Sequence, residues 1–134
     1  MNYDTFIDLV ARRAQVSSPQ AVDLTRATLE TLEDRLSGAE VVDLAAQLPK
    51  PLQATLRKRG GTAARFGVDA FVRRVGRGAG IDEVLARTGA GAVFTTLREA
   101  VTGGEFDEVM AKLPDDYQEL VSPSLLPGSI SRPA

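Results

Sequence analysis

The feature that most constrains this chain is an internal repeat. When the sequence is shifted by 65 residues, positions 4–56 align with positions 69–121 without a gap, and 15 of the 53 aligned pairs are identical. Most of the remaining core-type positions are apolar in both copies. Because a repeat builds the same local structure twice, it constrains the architecture before any residue is assigned a role. It does not identify a reaction or a ligand.

The spacing of apolar residues predicts the same helices in both copies. Apolar side chains recur three and four residues apart over residues 3–14 and again over 68–79, which is typical of amphipathic helices. A longer helix follows in each copy, and we expect Gly38 and Gly103 to end it in a left-handed conformation. Two short helices, separated by a Leu-Pro pair, complete each copy. No segment alternates like a strand, so we predict an all-α helical bundle with no β-sheet.

The domain organisation follows from the small size of each copy. A unit of about 55 residues with a narrow apolar stripe on each helix is marginally stable alone. We therefore predict a single helical domain over 1–121, in which two tandem four-helix-type repeats, 3–56 and 68–121, share one core. Two independent subdomains are the alternative. A basic flexible linker is expected at 57–67, and a flexible C-terminal tail rich in Pro, Ser and Gly is expected at 122–134.

The whole sequence contains no cysteine and no histidine. The chain therefore lacks a thiolate nucleophile, the commonest general base and the usual haem ligand. We predict a protein that is not an enzyme, with no catalytic residue, no metal site, no cofactor and no haem. We also expect a cytoplasmic protein without a membrane partner, because no apolar run approaches the roughly 20 residues of a membrane span and the N-terminus carries no export signal.

Basic residues concentrate in the middle of the chain. The formal net charge is −2, but residues 57–87 carry eight basic and three acidic side chains between two acidic flanks. Arginine suits phosphate because its planar guanidinium donates two hydrogen bonds at once. If the first helices of both copies face the same way, a stripe for an anionic partner is formed by Arg12, Arg13, Arg73, Arg74 and Arg77. The other candidate anion-binding residues lie in the linker and are Arg57, Lys58 and Arg59. The favoured alternative is a solvated linker and helix face with local ion pairs, because aromatic residues for stacking on bases are few.

Glycines and carboxylates offer weaker candidate sites. Gly76–Gly80 resembles a phosphate loop, but no strand precedes it and no Gly-Lys-Ser/Thr ending follows, so the end of a helix is the simpler interpretation. Gly89 and Gly91 favour close helix packing over room for a ligand. Two acidic sets, Glu105, Asp107 and Glu108, and Asp115, Asp116 and Glu119, have the chemistry for Mg²⁺ or acid–base work. Both fall at predicted helix starts, where we expect carboxylates to cap free N–H groups, as we also expect of Glu40.

The tail is a candidate docking segment. Leu125, Leu126 and Ile130 lie among Pro, Ser and Gly, a composition that binds partner grooves as a linear motif. A disordered end, or one folded back on the domain, is the alternative. We expect a non-enzymatic interaction or regulatory module that binds a protein partner or itself through helical faces or this tail. Binding of an anion or, less favoured, a nucleic acid through the Arg-rich region 57–77 is the alternative.

Three segments of the first copy resemble a known bacterial family. A Tyr-Asp-x-Phe opening at 3–6, a long helix ending in Leu-Ser-Gly-Ala-Glu at 36–40, and Asp-Leu-Ala-Ala-Gln-Leu-Pro at 43–49 are similar to the family called domain of unknown function 2267. The second copy carries related segments at 71–75, 97–105 and 112–117. The resemblance covers about residues 3–121. It implies a compact helical domain in a soluble bacterial protein, uncharacterised and of unknown function, and it implies no activity.

Overall fold

The computed structural model describes residues 1–56 and 63–121, and these residues form an all-α fold without a strand. In chain order the elements are α1 (Tyr3–Ala14), α2 (Ser18–Arg35), α3 (Gly38–Ala46), α4 (Lys50–Gln53), α5 (Val68–Ala79), α6 (Glu83–Ala100), α7 (Gly103–Ala111), a 3₁₀ turn (Asp115–Tyr117) and α8 (Gln118–Val121). The bounds of α5, α6 and α7 are those of α1, α2 and α3 shifted by 65 residues. The predicted all-α bundle is confirmed, whereas the tandem repeat stays an interpretation of the sequence.

Local signals explain where the helices begin and end. The Ser17 hydroxyl accepts a hydrogen bond from the backbone of Gln20, and the Gln20 side chain accepts one from the Ser17 N–H, which forms a capping box at the start of α2. Such caps stabilise a helix by about 1 kcal/mol. The first helix of each half is followed by a left-handed residue, Gln15 with φ 57° and Gly80 with φ 69°. These two residues occupy equivalent positions, so the turn is built the same way in both halves.

The glycines expected to end the long helices instead begin the next ones. The residue that ends α2, Leu36, is extended, and Ser37 caps α3, whose first residue is Gly38. In the second half α7 likewise begins at Gly103. The prediction was wrong because Ser37 forms a capping box with Glu40, and such a reciprocal pair of hydrogen bonds is a stronger signal for a helix start than one glycine is for a helix end.

Four long helices, α1, α2, α5 and α6, form the core. α1 packs against α2 and α6, α5 packs against the same two helices, and α2 also contacts α6 across the bundle. α1 and α5 therefore occupy opposite corners. Buried side chains of both halves belong to one cluster, in which the equivalent residues Phe6 and Phe71 are fully buried. Around this core α3 contacts α7, and α8 lies on α6.

A buried arginine joins elements of the two halves. Arg35, the last residue of α2, is 5% exposed. Its guanidinium donates to the backbone oxygens of Ala64 and of Lys112, the latter at 3.1 Å. It also lies over the rings of Phe66 at 5.4 Å and Tyr117 at 5.8 Å. A charge this deeply buried is tolerated because carbonyl dipoles and aromatic faces replace water around it.

The described part of the predicted linker, residues 63–67, is held in place. The backbone N–H of Ala64 donates to the backbone oxygen of Asp34 at 2.8 Å. The hydroxyl of Tyr117 donates to the backbone oxygen of Phe66, also at 2.8 Å. These bonds tie the segment to the end of α2 and to the turn before α8, where the sequence indicated flexibility. The first part of that linker, 57–62, lies outside the described residues.

Candidate functional site

A groove lies where α8 packs on α6, beside the end of α1. Its volume is about 460 Å³, within the range of sites that hold a small ligand. We call it the α6 groove, and it is lined by Arg13, Arg87, Thr88, Gly91, Ala92, Thr95, Arg98, Glu119, Leu120 and Val121. Its lining is mostly apolar. Arginine and threonine side chains supply most of its polar groups.

A glycine in α6 allows α8 to pack beside this groove. A Cβ atom on Gly91 would lie 2.9 Å from the backbone oxygen of Leu120, so the absence of a side chain lets α8 lie against α6. The equivalent residue of α2 is Arg26, whose guanidinium donates to the backbone oxygen of Gly78 and to Glu30, both at 3.1 Å. The position that carries an arginine side chain on α2 is therefore the position that contacts the backbone of α8 on α6.

Two arginines of the groove are held by carboxylates. Arg13, from α1, donates to both carboxylate oxygens of Glu99 at 2.9 Å. Arg87 donates to Asp69 at 2.6 Å and to Glu119. The side chains of Arg13 and Arg87 are 30% and 37% exposed, so these pairs are partly shielded from water. Their charges are largely neutralised, and their main effect is to fix the shape of the rim.

The third arginine of the groove, Arg98, is not paired with a carboxylate of the described residues. Arg98 is exposed and forms no ion pair or hydrogen bond with another residue that the structure describes. Thr88 and Thr95 line the same groove, and the Thr95 hydroxyl donates to the backbone oxygen of Val121 at 3.5 Å. The α6 groove therefore combines a guanidinium without a described carboxylate partner, two threonines and a mostly apolar lining.

The arginines predicted to form a stripe are dispersed. Since α1 and α5 lie at opposite corners of the bundle, the structure does not bring their arginines onto one face. Arg12 pairs with Asp8 at 3.0 Å within α1. Arg74 pairs with Asp34 at 3.7 Å and lies over the ring of Phe66 at 3.8 Å. These two guanidiniums thus have local partners, as the alternative interpretation of the basic region expected.

The remaining predicted residues have three different placements. Arg13 is part of the α6 groove. Arg73 and Arg77 are exposed on α5, form no ion pair with a described residue, and line a shallow pocket of about 380 Å³ that also includes Gly76 and Gly80. The residues that lie outside the described part of the chain are Arg57, Lys58, Arg59, Leu125, Leu126 and Ile130.

The predicted capping role holds for Glu40 and fails for its counterpart. Glu40 completes the capping box of α3 by accepting from the backbone N–H of Ser37 at 2.7 Å. Glu105 forms no such box. The reason is that the backbone N–H of Thr102, which Glu105 would bind, donates instead to the side-chain oxygen of Gln47 at 2.7 Å.

Glu40 and Glu105 also share a small pocket between α3 and α7. We call it the α3–α7 pocket; its volume is about 120 Å³, and it is lined by Glu40, Asp43, Glu105, Glu108, Val109 and Lys112. The backbone hydrogen bond from Ser37 lowers the pKa of Glu40, whereas burial raises the pKa of Glu105. Within residues 1–56 and 63–121, no group of three or more Asp, Glu, Cys or His residues is placed to hold a metal ion.

Sequence reasoning did not single out the main polar residues of the α6 groove, which are Arg87, Thr88, Thr95 and Arg98. The signal was present in the spacing, because Arg87, Gly91, Thr95 and Arg98 recur at intervals that place them on one face of a helix. It was also present in the aligned copies, where α2 has Val22, Arg26, Glu30 and Glu33 at these positions. A search for runs of charge along the chain does not detect a face of this kind.

The sequence comparisons identify the family. Residues 3–120 match the family model described as "Uncharacterized conserved protein (DUF2267)". This chain belongs to the DUF2267 family. The match agrees with the resemblance found in the three sequence segments, and the description assigns no activity. The comparison with curated proteins finds no match. In the part of this DUF2267 chain that the structure describes, no helix has the length and apolar character needed to cross a membrane.

Proposed function

We propose that this protein is a non-enzymatic interaction or regulatory module of the bacterial cytoplasm, and that it binds a protein partner through the α6 groove. The observation that carries this proposal is the exposed, uncommitted guanidinium of Arg98 beside a concave and mostly apolar floor. Arginine is enriched in protein interfaces, where it anchors a partner while apolar contacts exclude water.

The groove favours a partner segment that carries a carboxylate next to an apolar side chain. The apolar group packs on the floor formed by Ala92 and Leu120, and the carboxylate binds Arg98. A guanidinium binds a carboxylate with two parallel N–H···O bonds, so this contact also fixes the direction of the partner. Arg13 and Arg87 keep their own carboxylates and set the width of the site.

Catalysis is not part of this proposal. The sequence contains neither cysteine nor histidine. The carboxylates beside the groove, Glu99 and Glu119, accept hydrogen bonds from Arg13 and Arg87 and are occupied by them. A general base needs a carboxylate that is within reach of the substrate and has a suitably raised pKa. Among the described carboxyl groups, Glu105 has a raised pKa, and it lies in the α3–α7 pocket instead.

Charge reversal at Arg98 tests the proposal. Immobilised wild-type protein is used to capture a partner from a bacterial lysate, and the Kd of the purified partner is then measured by calorimetry. Arg98→Glu is expected to weaken binding by about tenfold or more, because the partner's carboxylate then meets a like charge. The control Arg73→Glu makes the same change in charge at an exposed residue of α5 outside the groove, and it should leave the Kd unchanged. Equal Kd values for Arg98→Glu and wild type would contradict the proposal.

The same measurement tests the docking tail. A chain that ends at Val121 lacks Leu125, Leu126 and Ile130. If its Kd equals that of the full chain, recognition belongs to the helical domain. If the partner is lost while Arg98→Glu still binds, recognition belongs to the tail and the groove proposal fails.

Binding of an anion or a nucleic acid is the second candidate function. It is supported by Arg73 and Arg77, which are exposed and form no ion pair with a described residue. A labelled oligonucleotide should then bind at low salt, with an affinity that falls steeply as salt is added. Here Arg73→Glu should weaken binding and Arg98→Glu should not, which is the reverse of the pattern expected for the groove. Absence of binding at low salt would exclude this function.

A further inference from the structure

The α3–α7 pocket gathers four carboxylates around one ammonium group. Glu40 and Asp43 come from α3, and Glu105 and Glu108 come from the equivalent positions of α7. The cation that lines the pocket is Lys112, which directly follows α7. The pocket therefore has an excess of negative charge in a volume of about 120 Å³.

Glu40 shows what a carboxylate in this pocket binds. It accepts a hydrogen bond from the backbone N–H of Ser37 at 2.7 Å. The ammonium nitrogen of Lys112 lies 3.4 Å from its other carboxylate oxygen. The bond from the Ser37 backbone, which is the largest cause, and the contact with Lys112 both lower the pKa of Glu40. Glu40 thus has one backbone donor and one ammonium partner.

Glu105 occupies the equivalent position and has neither partner. The residue is only 8% exposed. The donor equivalent to Ser37 is the N–H of Thr102, which binds the side-chain oxygen of Gln47 at 2.7 Å. Gln47 is also the residue equivalent to Lys112, and it carries no charge. Within the described ranges of the chain, the carboxylate of Glu105 forms no hydrogen bond or ion pair.

The surroundings of Glu105 favour a cation. Burial raises the pKa of Glu105, and the carboxylates of Glu108, Asp43 and Glu40 raise it further. A buried carboxylate is ordinarily paired, because desolvation of an unpaired charge is costly. A positively charged group in the pocket would remove this cost and reduce the repulsion among the carboxylates.

We propose that the α3–α7 pocket is a binding site for a primary ammonium group, which pairs with Glu105 as Lys112 pairs with Glu40. A volume of about 120 Å³ is close to that of about four water molecules, which is enough for a methylene group and its ammonium. An N–H of the ammonium binds Glu105, and the negative charges of Glu108 and Asp43, which are close enough to raise the pKa of Glu105, attract the same cation. An ammonium group needs no fixed coordination geometry, whereas the described carboxylates are not placed for a metal ion.

This site is separate from the α6 groove, so the inference does not depend on the proposed function. A primary ammonium has two sources, a free aliphatic amine or a lysine side chain of another protein. The shared chemistry is the ammonium group on a methylene chain. The experiment therefore uses one probe of each kind, 1,4-diaminobutane and a lysine blocked at both its amino and carboxyl termini.

Each probe is titrated near neutral pH at constant ionic strength, and the carboxyl carbons of the glutamate side chains are followed by NMR. A saturable shift at Glu105 with one of the two probes is expected, and the probe that binds more tightly identifies the source. Tetramethylammonium, which has the charge but no N–H donor, should cause no saturable shift. Absence of saturation with both amines, or an equal response to tetramethylammonium, would overturn the proposal.

Two variants make the test specific. Glu105→Gln should weaken binding of the responding probe by about tenfold or more, and the variant should fold because it removes an unpaired charge. Lys112→Gln removes the ammonium already present and should tighten binding. Unchanged affinity in Glu105→Gln, with folding verified by circular dichroism, would also overturn the proposal.

Discussion

The two halves of the molecule use the same helices to build different surfaces. The bounds of α1–α3 and α5–α7 differ by a constant 65 residues, and the equivalent residues Phe6 and Phe71 are buried in both. The faces of the two long helices differ, because α2 has Arg26 at the position where α6 has Gly91 and contacts the backbone of α8. Positions shared by the halves maintain the packing, and positions that differ create the α6 groove and the unpaired Glu105. Function is therefore best sought where the halves disagree.

The clearest disagreement lies where α2 crosses α6. Leu24 and Gly89 occupy equivalent positions, and a Cβ atom on Gly89 would lie 2.3 Å from a methyl carbon of Leu24. When two equivalent helices cross at equivalent positions, both side chains point into the same space. One leucine fills that space and a second does not fit, so the halves have to differ there for the bundle to close.

Among the variants that test this comparison, Gly89→Leu should cause the largest loss of stability. It places a second leucine in the crossing and should lower the free energy of unfolding by about 3 kcal/mol, measured by urea denaturation. Leu24→Ala in the same chain should restore part of this loss, because it vacates the space that the new side chain needs. A double-mutant cycle without coupling between the two positions would show that they do not compete for space.

Arg35 has no counterpart, since the equivalent residue of α6 is Ala100. Arg35→Ala removes the hydrogen bonds to the backbone oxygens of Ala64 and Lys112 and should cost about 2–3 kcal/mol of unfolding free energy. The exposed Arg98 is the matched control, and Arg98→Ala should cost less than about 0.5 kcal/mol. Equal losses in the two variants would mean that burial of Arg35 contributes nothing to stability.

Tyr117 introduces a titrating group where the first half has Leu52. Burial raises the pKa of Tyr117 from 10.0 to about 12. Because the folded state then holds the proton more tightly than the unfolded state, the contribution of Tyr117 to stability is constant below pH 10 and falls as the pH rises from 10 through 12, by about 2–3 kcal/mol. Tyr117→Phe should lose about 1 kcal/mol near neutral pH, where it lacks the bond to Phe66, and should lose little more in alkali. Parallel alkaline curves for the two proteins would contradict this.

Glu40 and Glu105 provide the most direct comparison of equivalent residues, with the smallest expected change in stability. The pKa of Glu40 lies below the ordinary 4.5, so its contribution to stability is present above that pH and is lost as the pH falls through its folded value. The pKa of Glu105 lies above 4.5, so stability falls as the pH rises from 4.5 through its folded value. At neutral pH, Glu40→Gln should therefore be less stable than wild type and Glu105→Gln more stable, each by about 1 kcal/mol or less.

Thermal unfolding of both variants between neutral and acidic pH measures these opposite signs. Each variant should approach wild type in acid, where both carboxyl groups are protonated. The same sign for both variants at neutral pH would show that Gln47 has not displaced Glu105 from its cap.

Helix positions were predictable from the sequence because they depend on local signals. The spacing of apolar residues located the long helices, and the alignment of the copies supported the same elements twice. The ends of the long helices were misplaced because Gly38 was interpreted alone, without the pairing of Ser37 with Glu40 three residues later. Local reasoning succeeds when all the interacting residues lie within one turn and are considered together.

The groove was not predictable in the same way, because it depends on contacts between distant residues. The closeness of Gly91 to the backbone oxygen of Leu120 exists only once α8 lies on α6. Likewise, Gln47 binds the backbone of Thr102 across the two halves, so the loss of a cap at Glu105 is invisible from its own neighbours. The predicted arginine stripe does not form for a related reason, because α1 and α5 lie at opposite corners of the bundle.

The short helix α8 connects the α6 groove to the segment that joins the two halves. It contributes Leu120 to the groove lining, and the residue immediately before it, Tyr117, donates to the backbone oxygen of Phe66 in the connecting segment. A ligand that displaces α8 outward would therefore stretch the hydrogen bond between Tyr117 and Phe66 and shift the two aromatic rings that contact Arg35. Binding in the α6 groove would in this way change the contacts of the connecting segment, which link the two halves.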